Sequence, residues 1–128
     1  MVEFEHIGSE AAERLRDLAD RARVTLIAAG ITAFDSGSSS PRGGAEIEVD
    51  TGYDEAGGVY ISWAFSRELT DEISGYLLSN QLSHATIQYS GKVRVAMRDA
   101  IIAILGAAGF SAGVSEDDMR PLAVSLSE

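Results

Sequence analysis

The chain contains no cysteine. That absence excludes disulfides, thiol catalysis and thiolate metal sites, and it favours a reducing compartment. Lysine is nearly missing too, Lys92 being the one lysine among ten basic residues. Against these stand 20 acidic residues, giving a formal net charge of −10. A surface so acidic repels nucleic-acid phosphate and anionic membrane, so neither is an expected partner. Long apolar runs are also lacking. The longest stretch free of charge and hydroxyl, 100–110, falls well short of the roughly 18 apolar residues a membrane span needs. The opening M-V-E-F-E-H-I has neither the basic nor the apolar region of a secretory signal, which makes the cytoplasm the expected location.

Motifs that bind nucleotides or carry out catalysis are absent as well. Gly91-Lys92 opens onto a helical pattern, but Thr86 and Val93 stand where a phosphate-binding loop needs glycine and a hydroxyl. His6 and His84 lie far apart in sequence, outside any metal-ligand spacing. Ser83 beside His84 lacks the G-x-S-x-G elbow of a hydrolase. Glu116, Asp117 and Asp118 are consecutive carboxylates without the calcium-loop pattern, so they read as a solvated loop. No catalytic residue, metal ligand or cofactor site is assigned, and a non-enzymatic protein is expected.

What remains is the pattern of an ordinary core. With 128 residues, 45% of them apolar, the chain has the size and composition of one domain spanning 1–128. Residues 2–6 alternate, with Glu3 and Glu5 opposite Val2, Phe4 and His6, and suggest a short strand. Ser9 then suits the cap of a helix on which Leu15, Leu18, Ala22, Leu26 and Ala29 recur at helical spacing. Gly30-Ile31 supplies its stop. The stretch 35–44, D-S-G-S-S-S-P-R-G-G, reads as a flexible loop. Two strands follow at 45–50 and 59–65, joined by T-G-Y-D-E-A-G-G, and they predict an antiparallel hairpin. Ile47, Val49, Ile61 and Trp63 would face the core.

Ser66 or Thr70 can start the next helix, and a break near 80–83 precedes another that begins near Ala85 or after Gly91. Ile104 joins Leu26 among the expected core residues. The tracts A-A-G-I-T-A at 28–33 and A-A-G-F-S-A at 107–112 read as one capping solution used twice. Alternation at Leu122, Val124 and Leu126 predicts a closing strand. The resulting fold class is α+β, a two-layer sandwich of an antiparallel sheet with helices on one face. Its order, β-α-β-β-α(α)-β, is that of the split-βαβ, ferredoxin-like arrangement.

Two surfaces stand out. Glu46, Glu48 and Asp50 share one face of their strand, Glu3 and Glu5 repeat the pattern, and Tyr60 faces the same side from the partner strand. No lysine or arginine occupies an outward strand position there. Like charges on neighbouring strands repel, so the face either is merely solvated or serves a partner that brings positive charge. The reading adopted is a small acidic binding module of the immunity or inhibitor type, docking on a basic protein. The second surface is the last helix, whose Ile101, Ile102 and Leu105 lie within an all-round apolar stretch and suggest a homodimer or accessory subunit. A small enzyme or ligand-binding domain without a motif is the further alternative.

Overall fold

The computed structural model describes residues 2–38, 40–52, 58–117 and 119–127, with the backbone alone for 2–7. Helix α1 (Val2–Ala28) leads into β1 (Ala33–Asp35), β2 (Gly44–Asp50) and β3 (Gly58–Ala64). Helices α2 (Arg67–Leu78) and α3 (Ala85–Ala107) follow, then β4 (Ser111–Val114) and β5 (Val124–Ser127). The five strands form one sheet in the order β1-β2-β3-β5-β4, antiparallel except for the β1–β2 pair. The fold is therefore α+β, with helices packed on a mixed sheet.

The expected first strand is not formed: residues 2–6 are the opening of α1. Five alternating residues satisfy a strand only if a neighbour pairs with them. Acidic residues at a helix N-terminus, by contrast, are favoured by the helix dipole without any partner. Two edge strands unseen in the sequence, β1 and β4, complete the sheet instead, and the split-βαβ order is not found among the described elements.

Both edge strands follow the repeated tract, and the repeat has a structural cause. At the end of α1 the Ile31 N–H donates to the Leu26 carbonyl (2.9 Å) and the Gly30 N–H to that of Ile27 (3.0 Å). At the end of α3 the Phe110 N–H donates to Leu105 (2.9 Å) and the Gly109 N–H to Gly106 (3.1 Å). Gly30 and Gly109 adopt φ of +97° and +96°. This is the Schellman termination twice over, with glycine in the left-handed position the motif requires. Asn80 ends α2 in the same way at φ +58°, the Gln81 N–H reaching the Tyr76 carbonyl.

The β2–β3 hairpin forms in the expected register, pairing Ala45 with Trp63, Ile47 with Ile61 and Val49 with Val59. Ile47 and Ile61 are enclosed, while Val49 and Trp63 pack against the core from its margin. The connecting turn falls largely on 53–57, outside the described residues. Leu18, Ala22 and Leu26 of α1 and Ile101 and Leu105 of α3 cover this face, with Val124 and Leu126 from β5. Ile104 is only half-buried beside them.

Helix α3 starts at Ala85, where the His84 Nδ1 accepts from the Thr86 N–H (3.1 Å) and the His84 ring stacks on Tyr76 at 3.6 Å. With 23 residues it is about 34 Å long at 1.5 Å per residue, whereas seven-residue strands reach only about 24 Å. The helix overruns the sheet. From 85 to 97 only Ser90 is buried, and α2 packs against α3.

Candidate functional site

On the strand face away from α1 and α3, the side chains of Glu46, Glu48 and Asp50 from β2 meet Tyr60 and Ser62 from β3 and Ser125 from β5. This follows from alternation, since their strand neighbours Ile47, Ile61 and Val124 are all in the core. All three predicted carboxylates therefore share the face opposite the core, which α2 borders at one end. Glu3 and Glu5 lie in the first turns of α1 and not on a strand of the sheet.

The expectation that no base stands near these acids is corrected. The connection from β4 to β5, residues 115–123, folds back across the open face and brings Arg120 onto it. Its Nε donates to Glu48 Oε1 (3.0 Å), Nη2 to Glu48 Oε2 (3.0 Å) and to Asp50 Oδ2 (3.1 Å), and Nη1 to Asp117 Oδ2 (2.5 Å). The guanidinium carbon lies 4.2 Å from the centroid of the Tyr60 ring. Tyr60 is consequently buried, 7% exposed, and its ring face is covered by the chain's own arginine.

The local sequence explains how the loop holds this position. The Ser115 Oγ accepts from the Asp117 N–H (3.2 Å), and Asp117 Oδ1 accepts from the Met119 N–H (2.9 Å). The Arg120 N–H donates to the Asp117 carbonyl and the Ala123 N–H to that of Arg120. Such side-chain to backbone bonds are the usual way Ser and Asp fix a turn. Asp118 lies outside the described residues.

The charge states follow from these contacts. The Asp117 carboxyl is held below its ordinary value, first by the Met119 N–H, with partial burial opposing and Arg120 adding to the effect. Arg120 is held charged beyond the ordinary arginine value, chiefly by its bonds to Glu48 and against its burial. Burial raises the Tyr60 hydroxyl, and Arg120 pulls it the other way. The carboxylates are partly solvated, Glu48 being 46% exposed. The network is thus worth more for the geometry it imposes than for net stability.

Two grooves flank the Arg120 loop. One, of about 960 Å³, runs over β3, β5 and β4 between Tyr60, Ser125 and the acidic pair Glu116–Asp117. The other, of about 630 Å³, runs from Glu46, Glu48 and Ser62 to Thr70, Ile73 and Ser74 of α2, with Arg94 on its wall. Met119, at 86% exposure, borders both.

The second predicted surface changes character. Ile101 and Leu105 are 1% and 0% exposed within the domain's own core, so they offer no surface to another chain, and Ile102 packs against that core as well. A short helix segment apolar all round is here enclosed by sheet on one side and by α1 on another. Exposed apolar residues lie elsewhere, among them Leu78, Leu82 and Tyr89 around the α2–α3 turn, Val24 and Ile27 on α1, and Val114 and Met119. His84 serves as a helix cap rather than as a partner of Ser83.

Arg120 was missed because only strand positions were weighed for positive charge. The available signal was a single arginine directly after the 116–118 acids in a connection short enough to fold back on its own hairpin. Comparison with family models, curated proteins and solved structures finds no match for this chain. Among the described residues, no helix is long and apolar enough to cross a membrane.

Proposed function

We propose that the acidic sheet face is a docking surface for a basic protein, making the chain a small acidic binding module of the immunity or inhibitor kind. The observation that supports this reading is the charge balance of the face. Glu46, Glu48, Glu116 and Asp117 border its two grooves, with Asp50 beside them on β2, against two bases, Arg120 among the acids and Arg94 on the wall of the second groove. A face that stays negative after its internal pairing attracts cations over several ångströms and accelerates their encounter. Glu46 and Glu116 are the clean probes, because neither belongs to the Arg120 network. The double change Glu46→Gln with Glu116→Gln is expected to leave folding unchanged. Against the basic protein that co-purifies from the native host, it should slow association by on the order of tenfold at low salt and far less at high salt. Surface kinetics at two ionic strengths decide it. Association as fast as wild type at low salt would leave the face as solvated surface. Neutralising Glu48 and Asp50 is a worse test, since it strands Arg120.

A second reading, self-association, is favoured by the overrunning end of α3. Leu78, Leu82 and Tyr89 are 89%, 58% and 57% exposed, and Ile87, Gly91 and Val95 line an open groove on one helix face. Gly91 touches nothing that a Cβ would meet, yet glycine inside a helix costs about 1 kcal/mol relative to alanine. Close approach by a second copy would account for it. Sedimentation should then show a concentration-dependent dimer that Tyr89→Asp dissociates. A wild-type monomer at every concentration removes this reading.

A further inference from the structure

We propose that Glu48, Asp50 and the Tyr60 ring form a guanidinium-recognition site that Arg120 fills in cis, and that an arginine of the docking partner takes its place. The site chemistry is selective for this group. Three of the guanidinium hydrogen bonds go to the sheet carboxylates, two as a fork on Glu48 and one to Asp50, and a fourth goes to Asp117. The flat face lies over an aromatic ring. A compact ammonium can supply the charge but neither the fork nor the stacking.

The framework of the site is independent of its occupant. Glu48 and Tyr60 are direct cross-strand partners in the β2–β3 register, and Asp50 is two residues along β2 on the same face. All three are carried by the sheet. Only Asp117 and Arg120 belong to the 115–123 connection, which is tied at its ends by the Ser115 N–H on the Ala123 carbonyl and exposes Met119 between them. The two grooves meet at this point, since Tyr60 lines one, Glu48 and Arg120 the other, and Met119 both. An extended basic segment laid along the face from groove to groove passes directly over Arg120.

The inference rests on the docking reading for its partner, but the site itself is tested without one. A resident side chain on a short connection has an effective concentration of about millimolar, so a small cation competes poorly with it in the wild type. Arg120→Ala removes the competitor. Methylguanidinium chloride is titrated into wild type and R120A, against methylammonium chloride at equal ionic strength. The readout is the heat of binding by titration calorimetry, with circular dichroism to establish that the variant is folded. In R120A a saturable change is expected, with a methylguanidinium midpoint at least ten times below that of wild type and no comparable response to methylammonium. If R120A does not fold, R120K serves, and it should likewise saturate at lower methylguanidinium than wild type. A folded R120A without a saturable response, equal responses to the two cations, or an R120K midpoint equal to that of wild type overturns the inference. A selective response in R120A, joined to salt-insensitive partner binding, keeps the guanidinium site and removes the docking reading.

Discussion

Leu105→Ala is expected to destabilise the protein by about 2–5 kcal/mol, the range for truncating an enclosed leucine and leaving a cavity. Leu105 is 0% exposed and sits where α3 crosses the sheet, in the cluster with Leu26, Ile101 and Val124. It is also the third residue from the end of its helix, the position Leu26 occupies in α1, so the Schellman turns that end α1 and α3 are each seated on a buried leucine. Neighbouring Ile104 is half-buried, and its truncation should cost less. Urea unfolding of the two variants separates them: the midpoint should fall further for Leu105→Ala at an unchanged m-value. A loss below about 1 kcal/mol would mean that the helix repacks and that the core is not closed around this residue.

Gly43→Ala is expected to be at least as costly, by about 2–5 kcal/mol, for a reason unrelated to cavities. Gly43 and Gly44 have φ of +80° and +136°. A Cβ on Gly43 would run into the backbone of Ala64 and Phe65, and one on Gly44 would lie 2.5 Å from the Thr32 carbonyl oxygen. The left-handed backbone alone costs roughly 1–2 kcal/mol for a residue with a side chain, and overpacking against backbone adds roughly 1–3 kcal/mol. The two glycines let the 40–44 segment pass between the start of β1 and the end of β3. Hydrogen bonds on both sides fix it there, from the Arg67 N–H to the Pro41 carbonyl (2.9 Å) and from the Ala45 N–H to that of Thr32 (2.8 Å). Thermal unfolding of Gly43→Ala beside Gly37→Ala is the comparison, because Gly37 has open space around it. Equal melting points would show that the close approach yields without strain.

These residues also mark how far the sequence could be read. The β2–β3 hairpin was legible because both strands are long enough for alternation to fix face and register together. The Schellman turns were legible because glycine followed by an apolar residue is a local signal. The segment 35–44 was read as flexible from its serines and glycines, yet its last glycines are required by contacts from strands distant in sequence. Strands β1 and β4 are three and four residues of mostly small side chains. They are extended because β2 and β5 offer hydrogen bonds, and that is a tertiary cause. The acidic face was placed correctly, but its answering charge comes from Arg120, 72 positions beyond Glu48. No periodicity reports a contact of that range.

The place of β5 in the sheet has a consequence for how the chain folds. It is the last element in sequence, yet it lies between β3 and β4 rather than at an edge. The β2–β3 hairpin and the two helix-turn units can form from contacts close in sequence, the kind that form quickly. Joining β3 to β4 must wait for residues 124–127. During vectorial synthesis β3 therefore presents an unpaired edge, bearing Val59 and Ile61, while residues 65–123 are made. Such an edge invites pairing with other strands. The carboxylates on β2 then act in time as well as in space, as like-charge repulsion between nascent chains until β5 arrives.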